Sequence, residues 1–279
     1  MGTSTSSKGP SSGVSFDPPW LIDFPIQPPQ LPNLPDLPAF QPLIPGLVPP
    51  EAPQSAVAPP RRFSPARTSL SKYMATGDRE YLKRSLGHYS RKGMGGAHIL
   101  SRRMRASAGV AAAIYDLFTK ASDENVNWLN RLVDRNLPIE DATNEIIAYL
   151  FPIGGSMEEE NCKASIAYAL MEMDEQFPNA NLSKLGNDEI WFLIEHFVAY
   201  EAKQRIIQDI GQILEHASAN DMVIITNDMT SFLHSHLSVQ IRKRRDNQAS
   251  FSRNAVAELI VEGIKDTFSV FEEELCEKR

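Results

Sequence analysis

The chain has only two cysteines, Cys162 and Cys276, among 279 residues, and it has no long uncharged apolar run. Two thiols that far apart in the sequence predict neither a disulfide scaffold nor a zinc site. No window approaches the ~18 apolar residues that a membrane-spanning helix needs, and no apolar run of the secretory type follows the N-terminus. These absences predict a cytoplasmic protein with reduced thiols and no membrane partner.

Strand signals are nearly absent too. Residues 222–226 form the one β-like run, which is too short and too isolated to found a sheet. Beyond residue 65 the apolar residues recur at helical spacing, and Asn187 or Asp188 should cap the longest helix. One face of the last predicted helix carries Val256, Ile260, Ile264, Phe268, Phe271 and Leu275. The pattern predicts an all-α body of seven to nine helices.

Proline is scarce outside one stretch, since seventeen of the twenty prolines lie within residues 1–65. Proline fixes φ and removes a backbone donor, so neither a helix nor a central strand is expected there. Residues 1–15 are rich in Ser, Thr and Gly and should be flexible, whereas residues 16–50 carry large apolar side chains without periodicity. At ~3.1 Å per residue, this Pro-rich arm could reach on the order of 100 Å.

The apolar arm has two interpretations. It folds back over the protein's own helices, or it lies in a groove of another protein and delivers its N-terminus to a pocket. Docking of the second kind loses little entropy because proline already fixes much of the backbone. Gly2 is small enough for Met1 to be removed, which would leave a free glycine amine. Gly2 and Ser6 also match a short myristoylation pattern, but one acyl chain beside Lys8 alone would anchor only marginally.

Charge is spread unevenly along the chain. Residues 1–65 carry 3 basic and 4 acidic side chains, residues 66–120 carry 11 and 3, and residues 121–279 carry 14 and 28. These stretches are the predicted divisions: an arm, a basic helical segment and an acidic helical body. The basic segment can pair with the protein's own acidic helices, face nucleic acid, or dock on an acidic partner.

A glycine turn, Gly93-Met94-Gly95-Gly96, is the most site-like feature of the basic segment. Glycines before a helix expose amide donors to an anion, and neighbouring arginines could hold a phosphate. The turn lacks the Gly-Lys-Ser/Thr ending of a P-loop, and the alternative is a helix-to-helix turn in which glycine takes positive φ. The candidate contacts for an anion or a nucleic acid are Arg91, Lys92, Gly95, Gly96, Arg102 and Arg103.

Patterns for catalysis and metal binding are missing. His234 and His236 would point about 200° apart on a helix, so they cannot chelate one metal ion. There is no nucleophile elbow, no cysteine with catalytic flanks and no convincing carboxylate pair. We therefore expect no metal, no cofactor and no enzymatic activity.

Two further sets of residues each have two interpretations. The run Arg242–Arg245 ends a helix, where cations complement the helix dipole and face solvent, or it extends a nucleic-acid surface. Tyr73, Tyr81 and Tyr89 in the basic segment either stack on bases or pack on a core, and core packing is the commoner use.

Several short segments of the sequence resemble those of a known protein family. Met-Gly-Thr-Ser-x-Ser opens the chain, and it is followed by Gly9-Pro10, Pro18-Pro19-Trp20, Arg79, Leu82, Leu86-Gly87-His88-Tyr89, the glycine turn and Arg103-Met104. Together these segments resemble the QatB family of the bacterial Qat anti-phage systems. The resemblance covers the start of the arm and residues 65–118, while the acidic half carries no motif that we can place.

The neighbours in such systems are an ATPase, a TatD-like nuclease and a QueC-like protein, which resembles 7-cyano-7-deazaguanine synthase (the QatC component). The resemblance implies that the chain is a non-catalytic partner of the QueC-like enzyme, which would conjugate a deazaguanine to the amine of Gly2. The expected contacts with that enzyme are Thr3, Ser4, Pro18, Pro19, Trp20, Leu21 and Phe24. The alternatives are a nucleic-acid-binding module acting through residues 66–120 and an enzyme of unrecognised class that depends on His88 or Arg103.

Overall fold

The computed structural model describes residues 61–119, 128–130, 139–151, 157–246 and 251–277. Residues 128–130 are helical, and nine α-helices have described bounds: α1 (Ser64–Thr76), α2 (Arg79–His88), α3 (Ala97–Arg103), α4 (Arg105–Thr119), α5 (Ile139–Leu150), α6 (Met157–Gln176), α7 (Asn187–Ile210), α8 (Ala219–Arg245) and α9 (Arg253–Glu277). The same stretches also contain a π-helical turn (Tyr89–Met94) and two 3₁₀ segments (Leu182–Lys184 and Gly211–His216). No strand occurs in this part of the chain, so the all-α prediction is confirmed.

Helices α1 and α2 pack together across a tight turn. Gly77 ends α1 with φ of 68°, and its N–H donates to the carbonyl of Tyr73 at 2.7 Å. This left-handed conformation favours glycine because it has no Cβ. Asp78 then begins α2 as its N-cap, since its side chain accepts from the Glu80 amide at 2.9 Å.

The C-terminal helix α9 packs against α2, α3, α4 and α8, and α7 packs against α4, α6 and α8. Five apolar residues of the predicted α9 face are fully buried: Val256, Ile260, Ile264, Phe268 and Phe271. Their burial confirms that face, with the helix buried along one stripe as an amphipathic helix requires. The same core continues from Phe63 through Trp191 to Phe271, so residues of the basic segment and of the acidic half share it.

A glycine lets α9 approach α2 closely. A Cβ at Gly87 would overlap the backbone carbonyl oxygen of Phe271 and would lie 2.8 Å from Cδ1 of Leu275. Nearby, Lys83 pairs with Glu274, and Ser90 donates a hydrogen bond to Glu272. Part of the basic segment therefore pairs with an acidic helix of the same protein.

Two details of the helices differ from expectation. The longest described helix is α8, with 27 residues against 24 in α7. Helix α7 ends at Ile210 because the backbone tightens into a 3₁₀ segment at Gly211, a poor residue for continuing a helix. The cap of α7 is Gly186, whose N–H donates to the Glu189 carboxylate at 2.5 Å, so the prediction of Asn187 or Asp188 was wrong by one or two residues. The β-like run at 222–226 lies inside α8.

Candidate functional site at the root of the arm

Phe63 fixes the start of the described chain to the body. Its side chain is only 3% exposed, and its ring stacks on Tyr89 with 5.7 Å between centroids. A Cβ at Gly93 would lie 2.5 Å from the Phe63 ring, so the first glycine of the glycine turn provides the space that Phe63 fills. The chain therefore enters the body at a fixed point, which we call the arm root (residues 61–63).

A buried polar network lies beneath the arm root. Tyr89 donates its hydroxyl to Asp209 at 2.7 Å, and Arg67 donates to the backbone carbonyl of Asp209 at 2.9 Å. Burial raises the pKa of Asp209 although Tyr89 and three nearby arginines oppose the shift. Burial, followed by repulsion from Arg103, lowers the pKa of Arg62. Arg62 and Arg103 are thus close enough to interact, an association that sequence spacing does not reveal.

Two hollows flank the exposed face of α1. The larger, about 740 Å³, is lined by four basic residues: Arg61, Arg62, Arg67 and Lys72. The smaller, about 410 Å³, shares Ser64, Thr68 and Lys72 with the larger one and adds Arg84 and His88. No carboxylate of the described residues lines either hollow. We call this surface, comprising both hollows and the α1 face between them, the basic saddle.

The glycine turn has a conformational explanation. Gly95 and Gly96 have φ of 87° and 115°, values that L side chains rarely adopt. The Gly96 amide donates to the Ser90 carbonyl at 2.9 Å, and the helix that follows has only seven residues. These facts favour the helix-to-helix turn over an anion cradle. Anion contact by Arg91, Lys92, Gly95, Gly96, Arg102 and Arg103 stays a prediction.

The predicted contact residues of the arm lie outside the described part of the chain. They are Gly2, Thr3, Ser4, Pro18, Pro19, Trp20, Leu21 and Phe24. Their roles stay predictions, and what the structure adds is the point at which the arm joins the body.

The three tyrosines of the basic segment pack on the body. Tyr73 is buried and donates to Asp228 at 2.6 Å, and Tyr89 is buried beneath Phe63. Tyr81 is half-buried with Lys72 and Arg84 over its ring, 5.6 and 5.7 Å from the centroid. Core packing, the commoner use of such residues, is therefore what the structure shows.

The basic run at the end of α8 pairs with acidic residues of neighbouring helices. Arg242 donates to the buried carboxylate of Glu195, with a shortest distance of 2.8 Å. Arg244 donates to Asp266 at 2.6 Å, and Arg245 lies 3.8 Å from Asp188. Buried Glu195 would be costly without its arginine, so the run has a structural role in the body.

A second buried carboxylate lies between α4, α6 and α7. Glu201 accepts from Ser107 at 3.1 Å and from Ser165 at 3.0 Å. Burial, with repulsion from Glu201, raises the pKa of the neighbouring Cys162 thiol to about 12. A thiol that stays protonated at neutral pH is a poor nucleophile. Across the described residues, no three His, Cys, Asp or Glu side chains are grouped to hold a metal ion.

Two stacked histidines should make stability depend on pH. His196 on α7 and His234 on α8 have ring centroids 3.9 Å apart, and burial lowers the pKa of each to about 4. Between that value and the ordinary pKa of histidine, the unfolded chain binds more protons than the folded protein, so stability should fall as pH drops through this window. The melting temperature should therefore decrease between pH 7 and pH 4.5.

The matched variant replaces both rings by phenylalanine, which keeps the contact with Phe192 but cannot be protonated. In the double variant His196→Phe/His234→Phe, the acid-induced decrease in melting temperature should be smaller by roughly 5 °C. Thermal unfolding of both proteins at the two pH values measures this difference. An equal decrease in both would show that other groups set the pH dependence.

These features define a helical protein whose body fixes residues 61–63 beside a basic surface. None of the described helices has the length and apolarity to cross a bilayer.

Comparison with known proteins then places the chain in a family. Residues 95–271 match the QatB family, described as the Qat anti-phage system associated protein QatB. The match covers more than half of the chain, so the protein belongs to the QatB family, and the family prediction is confirmed. Of the residues that suggested the family, the match includes Gly95, Gly96, Arg103 and Met104. No curated protein and no solved structure matches it. The family description places the protein in anti-phage defence and names no catalytic activity.

Proposed function

We propose that this protein is a non-catalytic component of a Qat defence complex and that it presents its N-terminal arm to a QueC-like enzyme. The observation that carries the proposal is the fixed arm root, where buried Phe63 stacks on Tyr89 and fills the space at Gly93. A body that holds one end of an apolar arm can bring the other end to a partner's pocket. Membership of the QatB family supports the defence role.

The arm would be both the docking element and the substrate, with modification at Gly2. Removal of Met1 leaves a primary amine without a bulky side chain, at the end of a Ser/Thr/Gly-rich leader. An α-amine is a much weaker base than a lysine ammonium, so more of it is the neutral nucleophile near pH 7. This difference favours Gly2 over Lys8, the other amine near that end.

Further partners, such as the ATPase and the TatD-like nuclease of the system, would bind the body. Helix α8 leaves four large apolar side chains at least 40% exposed: Met222, Val223, Ile224 and Val239. Three of them are consecutive in the first turns of the helix. Exposed apolar groups that occur together are typical of protein–protein contact surfaces, which supports a body that assembles with other components.

Mass spectrometry of the N-terminal peptide tests the proposal. Protein expressed with the QueC-like neighbour should carry an added deazaguanine group on Gly2, and protein expressed without it should not. The variant Lys8→Arg is the matched control, because it removes the other nearby amine and should leave the added mass unchanged.

Two results would contradict the proposal. A bare Gly2 under both conditions would remove the arm's role as a substrate, and an added mass that disappears in Lys8→Arg would move the modification to the lysine. In addition, an unmodified Gly2→Ala protein that still blocks phage would show that the modification is dispensable for defence.

Nucleic-acid binding through residues 66–120 is the alternative function. Some cations of that segment already have partners in the body, since Arg79 pairs with Asp228 at 3.3 Å and Lys83 pairs with Glu274. Any such function would therefore depend on the cations that no carboxylate neutralises.

A further inference from the structure

Three exposed cations of the basic saddle differ from the arginines of the α8 run in their surroundings. Arg61, Lys72 and Arg84 are exposed, and none forms an ion pair with a carboxylate of the described residues. Elsewhere in the same protein, arginines of the α8 run have carboxylate partners at 3.8 Å or less. Uncompensated charge in one place on a protein of net charge −7 predicts attraction of an anion to that place.

Three cations of the saddle, Arg67, Lys72 and Arg84, are positioned by contacts within the protein. Lys72 and Arg84 both lie over the ring of Tyr81, within the ~6 Å at which a cation and an aromatic face attract. Arg67 is tied to the backbone carbonyl of Asp209 at 2.9 Å. Such fixed side chains lose less rotamer entropy on binding than free ones would.

The backbone of Arg61, which lines the larger hollow, has a left-handed conformation. Its φ is 53°, and it is the one non-glycine residue with positive φ in the described chain. A side chain in the left-handed region is strained, and such strain is concentrated at functional positions. The conformation places Arg61 on the larger hollow of the saddle together with Arg62.

The exposed face of α1 suits phosphate groups rather than a single carboxylate. Ser64, Thr68 and Ser71 put hydroxyl groups along the face that lines the larger hollow, while Ala66, Leu70 and Tyr73 on the opposite face are buried. From residue 64 to residue 72 the helical rise gives ~12 Å. One nucleic-acid strand carries a phosphate every ~3.4 Å of duplex axis, so about four phosphates would follow the saddle.

We propose that the basic saddle binds the phosphate backbone of a nucleic acid, with Arg61, Lys72 and Arg84 as its main exposed contacts. The site is separate from the glycine turn and from the arm's contact residues, and it does not depend on the modification of Gly2. Because these contacts are to phosphate groups and not to base edges, the binding is independent of sequence and weakens steeply with salt.

Fluorescence anisotropy with a labelled 20-nucleotide oligonucleotide tests the proposal on the full chain. Single-stranded and duplex forms are titrated at 50 and 200 mM salt, and affinity should fall by about 100-fold between the two concentrations if four phosphates are neutralised. The triple variant Arg61→Gln/Lys72→Gln/Arg84→Gln should lower the log–log salt slope by about three. It should also weaken binding at least tenfold at the lower salt concentration.

The control variant Arg105→Gln/Lys184→Gln/Arg253→Gln removes the same charge from exposed residues that lie outside the saddle and outside the predicted anion contacts. It should leave the affinity within threefold of wild type. An equal loss in both variants would overturn the saddle as the site, and absence of binding at 50 mM salt would overturn it altogether. Competition by ATP at the same concentration as the oligonucleotide would show a nucleotide pocket instead, which also overturns the proposal.

Melting temperatures of both variants show that the substitutions leave the fold intact, because the three saddle side chains are exposed. The N-terminal peptide of the saddle variant should still carry the group on Gly2. Failure of the saddle proposal and failure of the proposed function are therefore measured separately.

Discussion

Replacing Gly87 by alanine should lower the free energy of unfolding by about 3 kcal/mol, because the added methyl group has no space between α2 and α9. The nearest obstacle is the backbone carbonyl of Phe271, which cannot move unless α9 moves with it. Cδ1 of Leu275, 2.8 Å away, blocks the other direction. Equilibrium unfolding in urea, with the midpoint and slope compared between variant and wild type, measures the effect.

Gly109→Ala is the matched control for this substitution. Gly109 also lies in a helix, α4, but a Cβ there would meet no atom within 4 Å. Alanine is the better helix former, so the control should be unchanged or more stable by up to about 1 kcal/mol. If both variants unfold at the wild-type midpoint, α2 and α9 do not approach each other as closely as the structure shows.

The helical fold could be predicted because its signal is local. The spacing of Val256, Ile260, Ile264 and Phe268 places them on one face whatever lies opposite, and all four are buried. The close contact at Gly87 could not be predicted in the same way, because it depends on a helix nearly 190 residues later in the chain. Gly87 is among the residues that resemble the QatB family, and its packing against α9 explains why this position is a glycine.

Sequence analysis did not identify the arm root, also because its contacts join distant parts of the chain. Composition assigned Phe63 and Pro65 to the Pro-rich arm, whereas α1 begins at Ser64 with a proline in its first turn. Proline is common at that position of a helix, so Pro65 itself was the signal that could have marked the start of the body. The partners of Phe63, Tyr89 and Gly93, come together only through tertiary packing.

The cationic side chains of the basic segment fall into two groups in the folded protein. Arg79 and Lys83 neutralise acidic groups of α8 and α9, as the self-pairing interpretation expected. Lys72 and Arg84 instead flank Tyr81, and no carboxylate of the described residues lines the hollow that they share. Net charge along the sequence could not separate these groups, because the separation depends on which helix face points at an acidic neighbour.

The arm itself should lose its partner when three of its apolar side chains are replaced. In the variant Trp20→Ser/Leu21→Ser/Phe24→Ser, the Kd for the QueC-like enzyme should rise by about 1,000-fold, since large apolar anchors dominate binding energy at interfaces. The melting temperature of the body should not change, because the sequence assigns these residues to no helix of the core. Isothermal titration with the purified enzyme measures both the affinity and its salt dependence.

The control for this prediction is Leu43→Ser/Ile44→Ser/Leu47→Ser, which removes comparable apolar groups farther along the same arm. If Trp20, Leu21 and Phe24 are the anchors, the control should bind within about tenfold of wild type, and wild-type binding should change little between 50 and 200 mM salt, because apolar contacts are not screened. Equal weakening in both variants would mean that the arm binds through its overall apolar character. Steep salt dependence would assign the contact to the charged body instead of the arm.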